Sequence, residues 1–297
     1  IVKLFKFEKN YEFTIEANIN DITEEKLKIF KSLGVNRLSI GVETVNDKFL
    51  KLLGRVHTKE EVIDKINLAK KYFSNLNIDL MYAFPSETIS DLICDINFVL
   101  NLNPTHISIY SLIIEEHTKL FIDGITSISQ ELDRMMYETI IENLKKSGYI
   151  HYEISNFAKD GFQSKHNLVY WDNDEYYGFG IGASGYISNV RYSNTRSINK
   201  YLNNEYRRDE ETIIKELAME YEMILGLRKI EGVSKEKFYQ KYSLAISDVF
   251  DIIDLVDKKL LVDGKENIYI NEYNLYVSNS ILVNFVGGSI YGESREN

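Results

Sequence analysis

Apolar and polar positions alternate over four short stretches in the first part of the chain. They are 12–17 (EFTIEA), 36–42 (NRLSIGV), 76–82 (LNIDLMY) and 105–112 (THISIYSL). Alternation over such lengths predicts β-strands. Between them, apolar residues recur at helical spacing behind capping residues. Thr23 caps a helix over 24–33, and Asn46 or Asp47 caps a short one over 46–53. Thr58 caps 59–73, where Val62, Ile66 and Ala69 share a face, and Thr88 opens a helix to about Leu100. Strands separated by helices predict βαβ repeats and a parallel sheet. Right-handed crossovers curl such a sheet toward a barrel or part-barrel.

The texture then changes. A long helix is expected over 129–146, stopped by Gly148, followed by a strand over 149–157 (YIHYEISNF). Residues 161–191, rich in glycine and aromatics, read as ordered loop. Helices are expected over 197–203 and 209–228. From Val233 the pattern is helix, helix (246–259) and a hairpin around 263–267, which is winged-helix-like. The expected division is a partial barrel over 1–125, a connecting region over 126–205, a winged-helix-like domain over 206–290 and a fraying tail over 291–297.

Composition narrows the class. At 297 residues, 44% hydrophobic and 27% charged, the chain can bury a core. Its net charge of −10 argues against broad nucleic-acid or anionic-membrane binding. No apolar run approaches the roughly 20 residues of a membrane span. The single cysteine, Cys94, lies in an apolar helical pattern (LICDINF) that reads as core. One thiol allows no internal disulfide and suits a reducing cytoplasm. The chain begins at Ile1, just ahead of a strand, and is expected to be a fragment.

Ligands of α/β proteins bind at the carboxyl ends of parallel strands. Glu43 closes the strand at 36–42, and Arg55 follows the glycine that ends the next helix. The two can hold a zwitterionic small molecule or pair with each other. Asp79 is a charge within an apolar strand, costly to bury unless paired or ligated. It faces ligand space, or pairs with Arg37 or Arg55. Glu16 would join the same rim. Three acids and an arginine suit ribose hydroxyls, an ammonium and a carboxylate, which the Arg55 fork matches. The five histidines show no zinc-type spacing, and one cysteine cannot hold a cluster. His166 stands apart in KHNLVYW, just ahead of Tyr170 and Trp171. It suits haem-iron ligation beneath a flat aromatic, or a structural hydrogen bond. GFGIGASG lacks the strand–turn–helix setting of a dinucleotide fingerprint and reads as backbone needing positive φ or close approach. The winged-helix-like end carries Asp248, Asp251, Asp254 and Asp257 against Lys258 and Lys259, the wrong charge for a phosphate-facing helix.

Ten ordered segments then point to a family: TIEAN, GVNRLSIGVET, LGRVH, NIDLMYAFP, HISIYSL, YEISNFA, HNLVYW, GFGIGASGYI, LGLRKIEGVS and LYVSNSIL. Together they resemble the oxygen-independent coproporphyrinogen III oxidase-like radical S-adenosylmethionine proteins, and HNLVYW favours their haem-chaperone branch. The resemblance implies a radical S-adenosylmethionine part-barrel whose first strands are missing, with an α+β C-terminal region. It places S-adenosylmethionine contacts on Glu16, Arg55, Asp79 and Glu43, where the family usually carries glutamine. It places haem on His166. It implies a 4Fe–4S cluster held by a CxxxCxxC triad that this chain lacks. The chain as given is therefore expected to bind no cluster and to be catalytically inactive. The implied function is capture of haem and its delivery to acceptor haem proteins, in the cytoplasm. Dimerisation is implied too, with no nucleic acid and with membrane contact only through a partner. The rival expectations are oxidative decarboxylation of coproporphyrinogen III, and an inert fragment or protein-binding module.

Overall fold

The computed structural model describes residues 7–288, so the expected tail at 291–297 lies outside the described residues. The chain divides into two compact units, Ile1–Gln163 and Ser164–Asn297.

In the first unit, β1 (Thr14–Asn18), β2 (Arg37–Glu43), β3 (Asn75–Tyr82) and β4 (His106–Ser111) are parallel neighbours in that order. Helices α1 (Glu24–Ser32), α2 (Asp47–Leu53), α3 (Lys59–Lys70) and α4 (Ile89–Leu102) fall between them. The expected caps are present. Thr23, Asn46, Thr58 and Thr88 accept backbone N–H groups, and Thr58 and Thr88 complete capping boxes with Glu61 and Asp91.

The unit continues through α5 (Lys119–Ile122), α6 (Gln130–Lys146) and two short strands, β5 (Ile150–Glu153) and β6 (Asn156–Ala158). The strands extend the sheet antiparallel in the order β4–β6–β5. The single strand expected over 149–157 is thus two strands. Glu153 accepts the Ser155 backbone N–H at 3.3 Å, a local bond that favours a turn over a continuous strand. The expected boundary at 125/126 also gives way. Helix α6 buries Met136, Ile140 and Leu144, and its Tyr137 hydroxyl donates to the Ile154 carbonyl at 2.9 Å. The long helix and the hairpin therefore belong to the first unit.

The two faces of this sheet differ in chemistry. Leu38, Ile40, Val42, Ile78, Leu80, Ile107 and Ile109 are all buried on one face. Matching stripes are buried on α1 (Leu27), α3 (Val62, Ile66, Ala69) and α4 (Leu92, Ile96, Val99). Each such Leu, Ile or Val side chain contributes about 1.5–3 kcal/mol by leaving water. The alternate positions, Arg37, Ser39, Asn77, Asp79, His106 and Ser108, form a polar face. This parallel-rich sheet, with helices falling between its strands and one polar face, is the part-barrel architecture expected.

The second unit opens on α7 (Lys165–Trp171). A meander of β7 (Ser184–Ile187), β8 (Val190–Asn194) and β9 (Arg207–Thr212) follows, with α8 (Ile198–Leu202) between the last two strands. Then come α9 (Lys215–Gly226), β10 (Val233–Ser234), α10 (Lys235–Tyr242), α11 (Ile253–Asp257), β11 (Leu261–Asp263), β12 (Asn267–Ile270) and α12 (Ser278–Leu282). The sheet β10–β12–β11 with its helices is winged-helix-like.

Three expectations change here. Residues 161–191 are not loop but contain α7, β7 and the start of β8. The start of 209–228 is strand, because RRDEET pairs along β8 while all its side chains stay exposed, leaving no apolar signal. The helix expected over 246–259 breaks, because Asp248 and Asp251 accept backbone N–H groups of Ala245 and Ile253. The glycine segment behaves as read. Gly180 and Gly182 have φ of +96° and +71°, and a Cβ on Gly178 would sit 2.1 Å from the Ser184 carbonyl oxygen.

Candidate functional site

The ends of β1, β2 and β3 carry the first cluster. Helix α2 ends at Gly54, whose left-handed φ of +67° suits glycine, and the Arg55 N–H returns to the Leu50 carbonyl at 2.8 Å. Phe49 of α2 stacks on Phe84, just past β3, with centroids 4.8 Å apart. That contact fixes where α2 delivers Arg55. The guanidinium donates to Glu43 at 2.6 Å and to the side-chain oxygen of Asn18, the last residue of β1, at 2.8 Å. Glu43 and Arg55 therefore pair with each other, one of the two outcomes their spacing allowed.

Glu43 itself has a φ of +60°, rare for a non-glycine residue and typical of positions held for function. Gly41 makes room for it, since a Cβ there would lie 2.8 Å from a Glu43 carboxylate oxygen. The other carboxylate oxygen is buried without a partner, as is His57 Nε2 among nearby groups. Burial pushes the Glu43 acid upward, against the pull of Arg55 and His57. A hollow of about 110 Å³ opens here, lined by Asn18, Gly41, Gly54, Arg55 and His57 among others.

Asp79 projects from the polar face of β3. It pairs with neither Arg37 nor Arg55. Ser39 donates to one of its oxygens at 3.1 Å and Asn77 to the other at 2.7 Å. Burial pushes its pKa up while those hydrogen bonds pull it down, and the exposed Glu16 pushes it further up by like charge. Glu43 and Asp79 also feel each other's charge. Acids, a guanidinium, an orphaned buried oxygen and a polar hollow on one rim fit the ribose, ammonium and carboxylate of S-adenosylmethionine.

The residues do not fit an iron–sulfur cluster. The chain has one cysteine, and a cluster takes three or four thiolates. Among the described residues no three His, Cys, Asp or Glu side chains are grouped to hold a metal ion. Cys94 is exposed, not core as its neighbours suggested. The α4 stripe runs through Leu92, Asp95, Ile96 and Val99, which turns Cys94 outward and Asp95 inward.

Asp95 is one of the residues that sequence reasoning missed. It accepts from the Thr44 hydroxyl at 2.5 Å and the Val45 N–H at 3.2 Å, holding the chain just after Glu43. A charge at a helical core position was the available signal. Glu87 was also missed. It is buried, one oxygen accepts the Phe84 N–H at 2.9 Å, the other is unpartnered, and burial pushes its acid up to about 7.

The second cluster lies on α7. Ser164 accepts the Asn167 N–H and starts this helix directly ahead of His166. His166 is exposed, and its Nε2 lies 2.8 Å from the Tyr170 hydroxyl one turn on. The two rings meet edge to face at 4.7 Å, and Tyr170 in turn meets Tyr176 at 4.5 Å. Trp171 faces the other way, beneath the Arg228 guanidinium at 4.8 Å. The structure so makes a surface imidazole with tyrosine edges beside it. The four rim residues and His166 belong to different units.

Comparison with known proteins gives the same direction. Residues 1–99 match the Radical SAM superfamily model. The chain is 41% identical over 286 residues to heme chaperone HemW of Lactococcus lactis subsp. lactis (strain IL1403), covering 93% of this chain and 75% of that one. It is 39% identical over 288 residues to heme chaperone HemW of Bacillus subtilis (strain 168), covering 93% and 76%. The fold matches the radical SAM enzyme coproporphyrinogen III oxidase (HemN) from Escherichia coli with a TM-score of 0.80. At 18% identity, over 96% of this chain and 71% of that one, the match speaks for fold alone. A polar-faced part-barrel followed by a winged-helix-like end, with relatives this similar over nearly its whole length, places the chain in the HemW heme chaperone family of radical SAM proteins.

Proposed function

We propose that this chain captures haem through His166 and passes it to acceptor haem proteins. The observation that carries the reading is the exposed imidazole on a capped helix, in a chain of the HemW family. Ligation at Nε2 requires the Tyr170 hydroxyl to give way, and the ring edges of Tyr170 and Tyr176 supply apolar surface beside the iron's ligand. An exposed, single-histidine site suits a carrier that must also release its cargo.

The rim would hold S-adenosylmethionine. Arg55 would take its carboxylate, shared with Glu43, while Glu16 and Asp79 would take cationic or hydroxyl groups. The sulfonium cofactor, when bound, brings positive charge to an acidic rim. The likeness to coproporphyrinogen III oxidase lies in the fold and carries no argument for decarboxylation. No described helix is long and apolar enough to cross a membrane. A cytoplasmic setting and a homodimer belong to the same proposal.

The test is transfer. The haem-loaded chain is mixed with an excess of an apo haem protein and the Soret band is followed. Transfer faster than from haem bound to serum albumin is expected. Haem retained by the chain, or released only at the albumin rate, would contradict a delivery role.

A further inference from the structure

Beneath Asp79 lies a buried chain of side chains that never reaches the rim. Asn77 and His106 are 1% and 0% exposed, and Ser39, Ser108 and Tyr152 are also buried. The Asn77 amide nitrogen lies 2.7 Å from both the Ser39 hydroxyl and an Asp79 oxygen. Its carbonyl oxygen lies 2.6 Å from His106 Nδ1 and 3.1 Å from the Ser108 hydroxyl. His106 Nε2 lies 2.7 Å from the Tyr152 hydroxyl.

The hydrogens can be assigned by elimination. With Asp79 ionised, its oxygens only accept, so the Asn77 group facing it is its NH2. Its carbonyl then faces His106, so Nδ1 must carry a proton. Burial and the nearby Arg37 hold His106 well below the usual imidazole range, so the ring is neutral and Nε2 is bare. The Tyr152 hydroxyl must donate to it. Every bond then points the same way: Tyr152 to His106, His106 to Asn77, Asn77 to Asp79. Aligned hydrogen bonds polarise one another, and this set terminates on one carboxylate.

We propose that Asn77, His106 and Tyr152 are positioning residues that hold Asp79 ionised and aimed at the rim. The relay runs from β5 through β4 to β3 and needs no contact with any ligand. Burial drives Asp79 toward the neutral acid, and the relay opposes it. The other groups facing Asp79 are Ser39 and Glu43 from β2, Glu16 from β1, and Ser108 and Tyr110 from β4. The two acids push toward protonation, which makes the donors from below the more necessary. The consequence for cofactor affinity rests on the S-adenosylmethionine reading of the rim. The relay itself does not.

The experiment is a carbon-13 carboxyl titration of Asp79, with nitrogen-15 shifts of His106, in the unliganded chain. His106 is expected as the Nδ1–H tautomer and neutral through the titration. Asn77→Ala is expected to raise the Asp79 midpoint by about one pH unit, the size of a lost bond to a charged group. Tyr152→Phe, the milder change, should move it the same way by less and mix the His106 tautomers. An Nε2–H tautomer, or an unmoved midpoint in folded Tyr152→Phe, would overturn the relay. Binding of S-adenosylmethionine by calorimetry is read alongside. A shifted midpoint with no cofactor binding to the parent chain would sink the reading of the rim and leave the relay standing.

Discussion

At the scale of single residues, the rim is defined by one contact. The Arg55 fork is already loaded by the carboxylate of Glu43, so a ligand carboxylate must share it or displace it. Partly exposed ion pairs contribute up to about 1 kcal/mol. Glu43→Gln should therefore tighten S-adenosylmethionine binding about fivefold, measured by calorimetry. Weaker binding would mean that the Glu43 charge itself holds the ligand. Glu87 gives a second test. Its folded pKa, pushed up to about 7 by burial, lies above the ordinary 4.5, so the native state holds its proton more tightly than the unfolded chain. Its contribution to stability is complete below pH 4.5 and is lost as pH rises toward 7 and beyond. Glu87→Gln should leave urea stability nearly unchanged at pH 5 and raise it by up to about 3 kcal/mol at pH 8. An equal effect at both values would show that the carboxyl's charge is not what matters.

Pattern and context part company at this scale. Glu16, Glu43, Arg55, Asp79 and His166 stand out in the sequence because a charge or an imidazole sits where strand ends, glycine or aromatics give it a setting. Ser39, Asn77 and His106 do not stand out, because neutral polar residues alternating in a strand look like a solvated face. Only the parallel pairing of β2, β3 and β4 puts them side by side, out of water. Asp95 was legible in principle from the α4 period, but Cys94 beside it drew the apolar reading.

At the scale of elements, strands β4 and β5 carry an acid sensitivity. His106 and His151 are buried and neutral, and burial lowers His151 to about 4. Below pH 6.5 the unfolded histidines take up protons that the native ones refuse, so their contribution is present above that pH and lost as it falls. His151 alone accounts for about 3 kcal/mol between pH 6.5 and 4. His151→Phe, which keeps a ring against Phe157 at 4.3 Å, should flatten the acid limb of the stability curve. An unaltered slope would show that His151 is not its source. Helix α7 tests the other site, since Ser164→Ala removes its cap at a cost of about 1 kcal/mol. Weaker haem binding with little change in global stability would tie the helix to the site. The βα repeats were readable because caps and apolar periods agree there. Helix α7 and strand β9 were not, because α7 buries no residue and every β9 side chain is exposed, so neither leaves an apolar period.

At the scale of the whole molecule, the chain carries two kinds of chemistry on separate units. The first unit presents an acidic, arginine-bearing rim on a part-barrel. The second presents a surface histidine on a short helix. A boundary at Gln163/Ser164 was hard to see, since it falls two residues ahead of His166, inside one continuous polar and aromatic stretch. Family membership joins the two sites in one protein, while each remains separately testable.

The most direct measurement is a haem titration of this chain and of His166→Ala and Tyr170→Phe, followed at the Soret band. Saturable binding to the parent chain is expected, at least tenfold weaker in His166→Ala. Equal or tighter binding is expected in Tyr170→Phe, where Nε2 loses a competing hydroxyl. Equal binding by the parent chain and His166→Ala would contradict the account, because the iron's ligand would then lie elsewhere.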